Sequence, residues 1–179
     1  MKYRDSDSSL DTPQKILKVN HAGEFGAINI YEAQLLICRI AMKRHVPLLQ
    51  EFLKDETRHL NAFWEEIEKR KGVRCKSFWL CGTGDYALGF ISALLGTKGI
   101  MACTWAVESV VIAHLHSQLE YLSGKNDKDA FAVVKSILDD EVNHRDTGFK
   151  HGGATNILYV PFRFMVNAFT EGVIRFGMR

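Results

Sequence analysis

Residues 139–144 read DDEVNH and residues 55–60 read DETRHL, so the pattern Glu-x-x-His occurs twice, as Glu56 with His59 and as Glu141 with His144. On an α-helix this spacing sets both side chains on adjacent parts of one face, where a carboxylate and an imidazole reach the same ion from one turn. Two such pairs in a chain with 7 histidines are a weak signal alone. Two further glutamates sharpen it, Glu24 in HAGEFGAINIY and Glu108 in CTWAVESVVIAHL, both in otherwise apolar helical sequence. The separations Glu24 to Glu56 and Glu108 to Glu141 agree to within one residue, so the chain carries a glutamate, a helical hairpin and a Glu-x-x-His pair, twice over. Glu108 and Glu141 lie about equally far from the turn at Gly124 and Lys125, which places them at the same height in an antiparallel hairpin. In the first hairpin, equal arms put the turn near Ile40, slightly before the break that the sequence suggests.

Outward from these motifs the chain reads as all-α. Its three prolines, Pro13, Pro47 and Pro161, can each occupy a first helical turn. Thr12 as an N-cap opens a helix to about Ala41, and Met42 to Val46 form a basic break. A second helix runs from Pro47 to about Lys71, with Gly72 as its stop. Val73 to Gly84 reads as a connector, and Asp85 to Leu95 as a short apolar helix punctuated by Gly96 and Gly99. A fourth helix spans Ile100 to Ser123, Gly124 to Asp127 makes a turn with an N-cap, and a fifth helix reaches Lys150 before Gly152 and Gly153. An amphipathic helix from Pro161 to Phe176 finishes the chain.

Each of the four glutamates falls on an apolar stripe. Leu49, Leu53, Leu60, Phe63 and Ile67 share the face of Glu56, and Met101, Val111, Ile112, Leu115 and Leu119 that of Glu108. Ile28, Tyr31 and Leu35 surround Glu24, and Val134, Ile137 and Leu138 lead up to Glu141. Four unpaired carboxylates in one core would each cost on the order of several kcal/mol. Two divalent ions balance that charge, with two neutral imidazoles as further donors. One glutamate from each of two helices and Glu-x-x-His from each of the other two is the ligand set of dimetal carboxylate bundles. A ligand set of carboxylate and imidazole without thiolate favours iron or manganese over a structural zinc. The expected fold is a ferritin-like four-helix bundle of two repeated hairpins with two extra apolar helices, one domain over residues 1–179 with 1–11 flexible. The expected ligands are Glu24, Glu56, His59, Glu108, Glu141 and His144. Asp55 and Asp140, each beside a ligand glutamate, are either surface acids or acceptors of a hydrogen bond from a ligand histidine. Tyr31 is a candidate neighbour of the metal centre, and His21 reads as a neighbour or a core residue. His114 is a candidate for the pocket wall, and His45 and His151, near helix ends, read as solvated.

Composition narrows the function. With 23 Lys+Arg against 21 Asp+Glu and a net charge of +2, the chain has no basic stripe for nucleic acid. Its 4 cysteines, Cys38, Cys75, Cys81 and Cys103, form no C-x-x-C pair, which fits a reducing compartment. Residues 1–12 are acidic and serine-rich, unlike a secretory signal. No unbroken apolar run is long enough for a dedicated membrane span, although Tyr86 to Gly96 carries no charge. The last helix presents Phe162, Phe164, Met165, Val166, Phe169, Val173, Ile174 and Phe176 around Arg163 and Arg175. These two segments read either as bundle core or as an insertion into a membrane interface.

The segments VNHAGEFGAINIYEAQL, DETRHL, ALGFISALLGTKGIMACTWAVE and DDEVNHRDTG resemble those of the demethoxyubiquinone hydroxylase family, over about Ile16 to Gly148. By position the family's ligands fall on the six residues already named. The resemblance implies a di-iron monooxygenase that hydroxylates a demethoxyquinone ring with O2 and electrons from NADH, in ubiquinone synthesis at a membrane surface. That surface is the cytoplasmic face of the cell membrane if the chain is bacterial, with a homo-oligomer or biosynthetic complex left open. Two departures concern the substrate pocket: Leu115 stands where the family has a tyrosine, and Asn29 where it often has an arginine. Arg175 is the counterpart of a late family arginine. The competing readings are a ferritin-like ferroxidase, a divergent di-iron oxygenase or peroxide enzyme with another substrate, and a metal-free interaction bundle.

Overall fold

Each break in the helical pattern has a chemical cause in the computed structural model, which describes residues 12–179. The expected flexibility of residues 1–11 lies outside the described residues. Among the latter are α1 (Thr12–Ala41), α2 (Val46–Lys69), α3 (Phe78–Leu94), α4 (Gly96–Ser123), α5 (Lys128–Lys150) and α6 (Val160–Met178), with no strand. Short 3-10 turns, Lys43–His45 and Ile157–Tyr159, lead into α2 and α6. Thr12 is the first described helical residue, inside α1. Asp127 caps α5 by accepting a hydrogen bond from the Ala130 N–H at 3.1 Å. The same carboxylate takes a two-pronged contact from Arg70 at 2.6 and 2.7 Å, tying the end of α2 to the start of α5.

Three boundaries differ from the sequence reading. α3 begins at Phe78, not Asp85, because Gly82 and Gly84 are packing residues: a Cβ on either would strike the ring of Phe25 or Phe169. α4 begins at Gly96, whose φ of +76° makes the corner after α3. At the end of α2 it is Lys71, at φ 52°, that takes the left-handed conformation, with Gly72 donating back to the Ile67 carbonyl at 2.9 Å.

α1 pairs with α2 and α4 with α5 to form the four-helix bundle, α3 lies along α1, and α6 along α4. The 3-10 turn before α2 lengthens the second arm of the first hairpin to within a turn of the first, and side-chain reach covers the rest. One apolar core contains Tyr31, Leu35, Phe52, Ile100 and Met101; a second contains Ile16, Phe63, Ile112, Leu115 and Ile137. Along α1 and α4 the glutamates fall between residues of these two cores, so the acidic layer is sandwiched by hydrocarbon. That arrangement removes water from the carboxylates on both sides.

Two helical stretches are long and apolar enough to cross a membrane by length and composition, where the sequence reading expected none: Gly96–Ser123, 67% buried in its most apolar window, and Ile157–Met178, only 17% buried. The first is a core helix. The second and α3 together expose Trp79, Phe90, Ile91, Leu94, Leu158 and Phe164. Val166 and Val173, counted above with the apolar face of the last helix, are instead buried. Arg163 is buried too, and its guanidinium donates to the carbonyls of Gly153 and Asn156 at 2.9 Å, closing the corner into α6.

Candidate metal centre

The bundle brings all six expected ligands together, each at most 5% exposed. Ligand atoms of Glu24, Glu56, His59 and Glu141 lie within 4.8 Å of one another, as do those of Glu56, Glu108, Glu141 and His144. Glu56 and Glu141 belong to both groups. His59 Nδ1 is 3.0 Å from Glu141 and 3.5 Å from Glu24, and His144 Nδ1 is 3.1 Å from Glu56. Each histidine thus faces the glutamate of the opposite Glu-x-x-His helix.

The outward nitrogens are held by the two aspartates. His59 Nε2 is 3.2 Å from Asp140, and His144 Nε2 is 3.5 Å from Asp55, so each imidazole is buttressed from the partner helix. With the proton on Nε2 shared with the aspartate, the Nδ1 lone pair points inward. Arg58 closes this face, donating to Asp140 at 2.6 Å and to Asp55 at 3.4 Å. Tyr31 donates its hydroxyl hydrogen to Glu108 at 3.3 Å, and Phe52 packs against His144 with ring centroids 4.2 Å apart.

The electrostatics describe a site that needs cations. Burial pushes the carboxyls of Glu24, Glu108 and Glu141 above their ordinary range, and neighbouring carboxylates add to the push. For Glu56, burial is outweighed by the adjacent imidazoles of His144 and His59, which hold it down at about 2. Burial opposes protonation of His59 and His144, yet the carboxylates raise both. Glu56 Oε1, His59 Nδ1 and His144 Nδ1 are buried with no hydrogen-bond partner, an expensive arrangement that metal coordination would resolve. The donor set and its orphaned inward atoms therefore fit two divalent ions.

Other expected residues fall elsewhere. His21 stacks on Phe78 and lies tilted against Trp64 at centroid distances of 5.2 and 5.1 Å, where burial and the nearby Arg74 lower its pKa to about 4. It is a core residue. His114 lines the cavity beside the carboxylates and pairs with Glu171 at 2.6 Å. Leu115, expected at the pocket, is 1% exposed in the second apolar core, because it faces across the bundle. Arg175 pairs with Glu171 at 2.6 Å on an exposed surface of α6, outside the cavity wall. Asn29 turns its amide back to the Phe25 carbonyl at 2.7 Å. His45 is half-buried against Thr97 at 3.0 Å, whereas His151 is exposed. Sequence reasoning missed Arg58 and Phe52. Arg58 sits between Glu56 and His59 on the outer face, and only the position of α5 reveals its partners.

The family model described as Ubiquinone biosynthesis protein COQ7 matches residues 11–177. The chain belongs to the COQ7 family. A Dictyostelium discoideum relative named NADPH-dependent 3-demethoxyubiquinone 3-hydroxylase, mitochondrial, is 36% identical over 170 residues, covering 93% of this chain and 76% of the relative. The Caenorhabditis elegans protein of the same name is 32% identical, covering 90% of this chain and 87% of its own. A Rhodospirillum rubrum relative named 3-demethoxyubiquinol 3-hydroxylase is 33% identical over 138 residues, covering 77% of this chain and 64% of the relative.

Proposed function

We propose that this chain hydroxylates the ring of a demethoxyubiquinone-type quinone at a dimetal centre. The observation that carries the reading is the buried layer of four carboxylates and two imidazoles whose inward atoms have no partner, beside an apolar cavity. Glu24, Glu56, His59, Glu108, Glu141 and His144 hold two iron ions, with manganese as the alternative. Bound iron supplies activation of O2 and transfer of one oxygen atom.

The remaining roles belong to the chain. Glu56 and Glu141, common to both ligand groups, would balance the charge of bound ions, and Asp55, Asp140 and Arg58 keep both imidazoles in the ligating tautomer. Tyr31 holds Glu108 through its hydroxyl. Val107, Val111, Ala27 and Ile174 wall the cavity of about 40 Å³ beside the carboxylates and exclude water from it. His114, held through Nε2 by Glu171, borders the same cavity as a polar group facing the ring. The exposed apolar faces of α3 and α6 support delivery of an isoprenoid-tailed substrate from a membrane interface, with the chain lying on the bilayer surface. Electrons come from a pyridine nucleotide. The sequence reading expected NADH, whereas the names of the Dictyostelium discoideum and Caenorhabditis elegans relatives specify NADPH, so both belong in the test.

The test is turnover of a short-tailed demethoxyquinone by iron-loaded protein with NADH or NADPH under ¹⁸O2. The expected product carries one added ¹⁸O atom in a ring hydroxyl. Absence of product from fully metal-loaded protein across a range of quinones would sink the assignment. Flotation with anionic liposomes tests the membrane part, and protein that stays with the aqueous fraction overturns it.

A further inference from the structure

The cavity beside the carboxylates does not end there. A second cavity, also of about 40 Å³, shares its walls at Val19, Gly23, Ala27, Val107, Val111 and Ile174. The two form one slot between α1 and α4, roofed by α6. At Gly23 the slot is open: a Cβ built there meets nothing within 4 Å. Gly23 and Ala27 lie one turn apart on α1, facing Val107 and Val111 one turn apart on α4. Small side chains on one wall and β-branched ones on the other leave the space between the two helices unfilled. The far end of the slot is polar, bounded by Ser77, Asp85 and Thr170.

Asp85 is the unusual group. It lies in the middle of α3, is 7% exposed, and receives no hydrogen bond or ion pair from any described residue. Ser77 and Thr170 do not serve it, since their hydroxyls are spent on Cys75 Sγ at 3.1 Å and the Val166 carbonyl at 3.0 Å. Its carboxyl sits in the gap that Gly26 leaves on α1, where any Cβ would collide with it. Burial pushes Asp85 up to about 8, so at neutral pH it is chiefly a neutral acid with one O–H to donate. An unpartnered buried acid costs stability wherever an apolar residue would serve as well. The packing of α1 on α3 gives no return for that cost.

We propose that Asp85 is a substrate-binding residue that hydrogen-bonds an oxygen substituent of the ring held in the slot, at the end remote from the metal carboxylates. The proposal rests on the quinone reading given above. With one ring edge toward Glu24 and Glu108 and the opposite edge toward Asp85, the acid fixes which ring carbon meets the metal centre. It donates to a carbonyl oxygen of the quinone and accepts from a hydroxyl of the reduced ring, so it serves both oxidation states. A ring lacking oxygen at that edge leaves the acid unpaired and binds more weakly, which is how a buried polar group discriminates between otherwise similar ligands.

The test uses metal-loaded full-length protein and two probes, a decyl-tailed dimethoxybenzoquinone and the decyl-tailed benzene that lacks ring oxygens. Quinone binding is read by quenching of tryptophan fluorescence, and hydrocarbon binding by displacement of the quinone. Asp85→Leu is expected to weaken quinone binding by about tenfold while leaving the hydrocarbon unchanged, the cost of one buried hydrogen bond. Asp85→Asn, which keeps an N–H donor in the same shape, is expected to stay within about twofold of wild type for the oxidised quinone. Gly23→Leu, which fills the slot, is expected to lose both probes. If the leucine variant does not fold, Asp85→Ala carries the same comparison because it only removes atoms. Unchanged quinone affinity in Asp85→Leu, or equal loss of both probes, overturns the role of Asp85. Wild-type protein that binds no quinone overturns the quinone reading itself, and the role of Asp85 with it.

Discussion

On the α2 side of the acidic layer, His59 Nδ1 stands 3.0 Å from Glu141 and 3.5 Å from Glu24. On the α5 side, His144 Nδ1 stands 3.1 Å from Glu56, while Glu108 is held by the Tyr31 hydroxyl at 3.3 Å. The two half-sites come from one repeated pattern, yet among the described residues only the Glu108 half has a phenol. The repeat explains why. Tyr31 lies seven residues after Glu24, and the matching position after Glu108 is Leu115, which packs into the second apolar core. A repeat therefore fixes where ligands stand, while single side chains beside them tune each half separately.

The comparison breaks most sharply at the shared carboxylates. Glu141→Ala is expected to lower iron content from two ions per chain to near none and to abolish turnover, whereas Glu24→Ala should retain one ion. Metal analysis after anaerobic loading distinguishes these outcomes, and equal loss in both variants would contradict the shared role of Glu141. Next in size is the effect of removing metal. In chelated protein, Glu24, Glu108 and Glu141 have carboxyls raised above their ordinary 4.5, so their stabilisation is present below that value and is lost as pH rises. His59 and His144, raised above 6.5, act in the same direction above that pH. Glu56 acts oppositely, losing its contribution only as pH falls toward about 2. Chelated protein should therefore melt at a lower temperature at pH 8 than at pH 5. The difference should exceed the roughly 2–4 °C that one kcal/mol represents at this size. Metal-loaded protein should show the reverse trend, because ligands must shed protons to bind.

Arg58→Gln should weaken both half-sites together, by roughly tenfold in metal affinity, since it releases Asp55 and Asp140 at once. A competition titration with a chromophoric chelator reads this, and a change confined to one site would show that the clamp is not shared. The smallest effect is expected from Tyr31→Phe, about 0.5–1.5 kcal/mol at the Glu108 side alone. Sequential metal titration followed by circular dichroism separates the second binding step from the first, and only one step should move.

Much of the architecture was legible in the chain. The Glu-x-x-His pairs, the matched spacing to Glu24 and Glu108, and the apolar stripes around them specify a bundle with an acidic layer, because helical periodicity alone puts these side chains on one face. The start of α3 was not legible, since Gly82 and Gly84 read as loop signals when taken locally and as close-packing residues once Phe25 and Phe169 lie against them. Asp85 was taken for a helix start for the same reason.

What the sequence determined by itself is the inventory and spacing of donors, and the charge that demands cations, since both follow from residue type and a fixed rise per residue. What only the tertiary structure decided is who holds whom. The exchange of Asp55 and Asp140 across helices, the clamp of Arg58, the single phenol on Glu108 and the slot ending at Asp85 all join residues distant in sequence. Such pairings depend on how helices rotate and approach in space, which local periodicity does not encode.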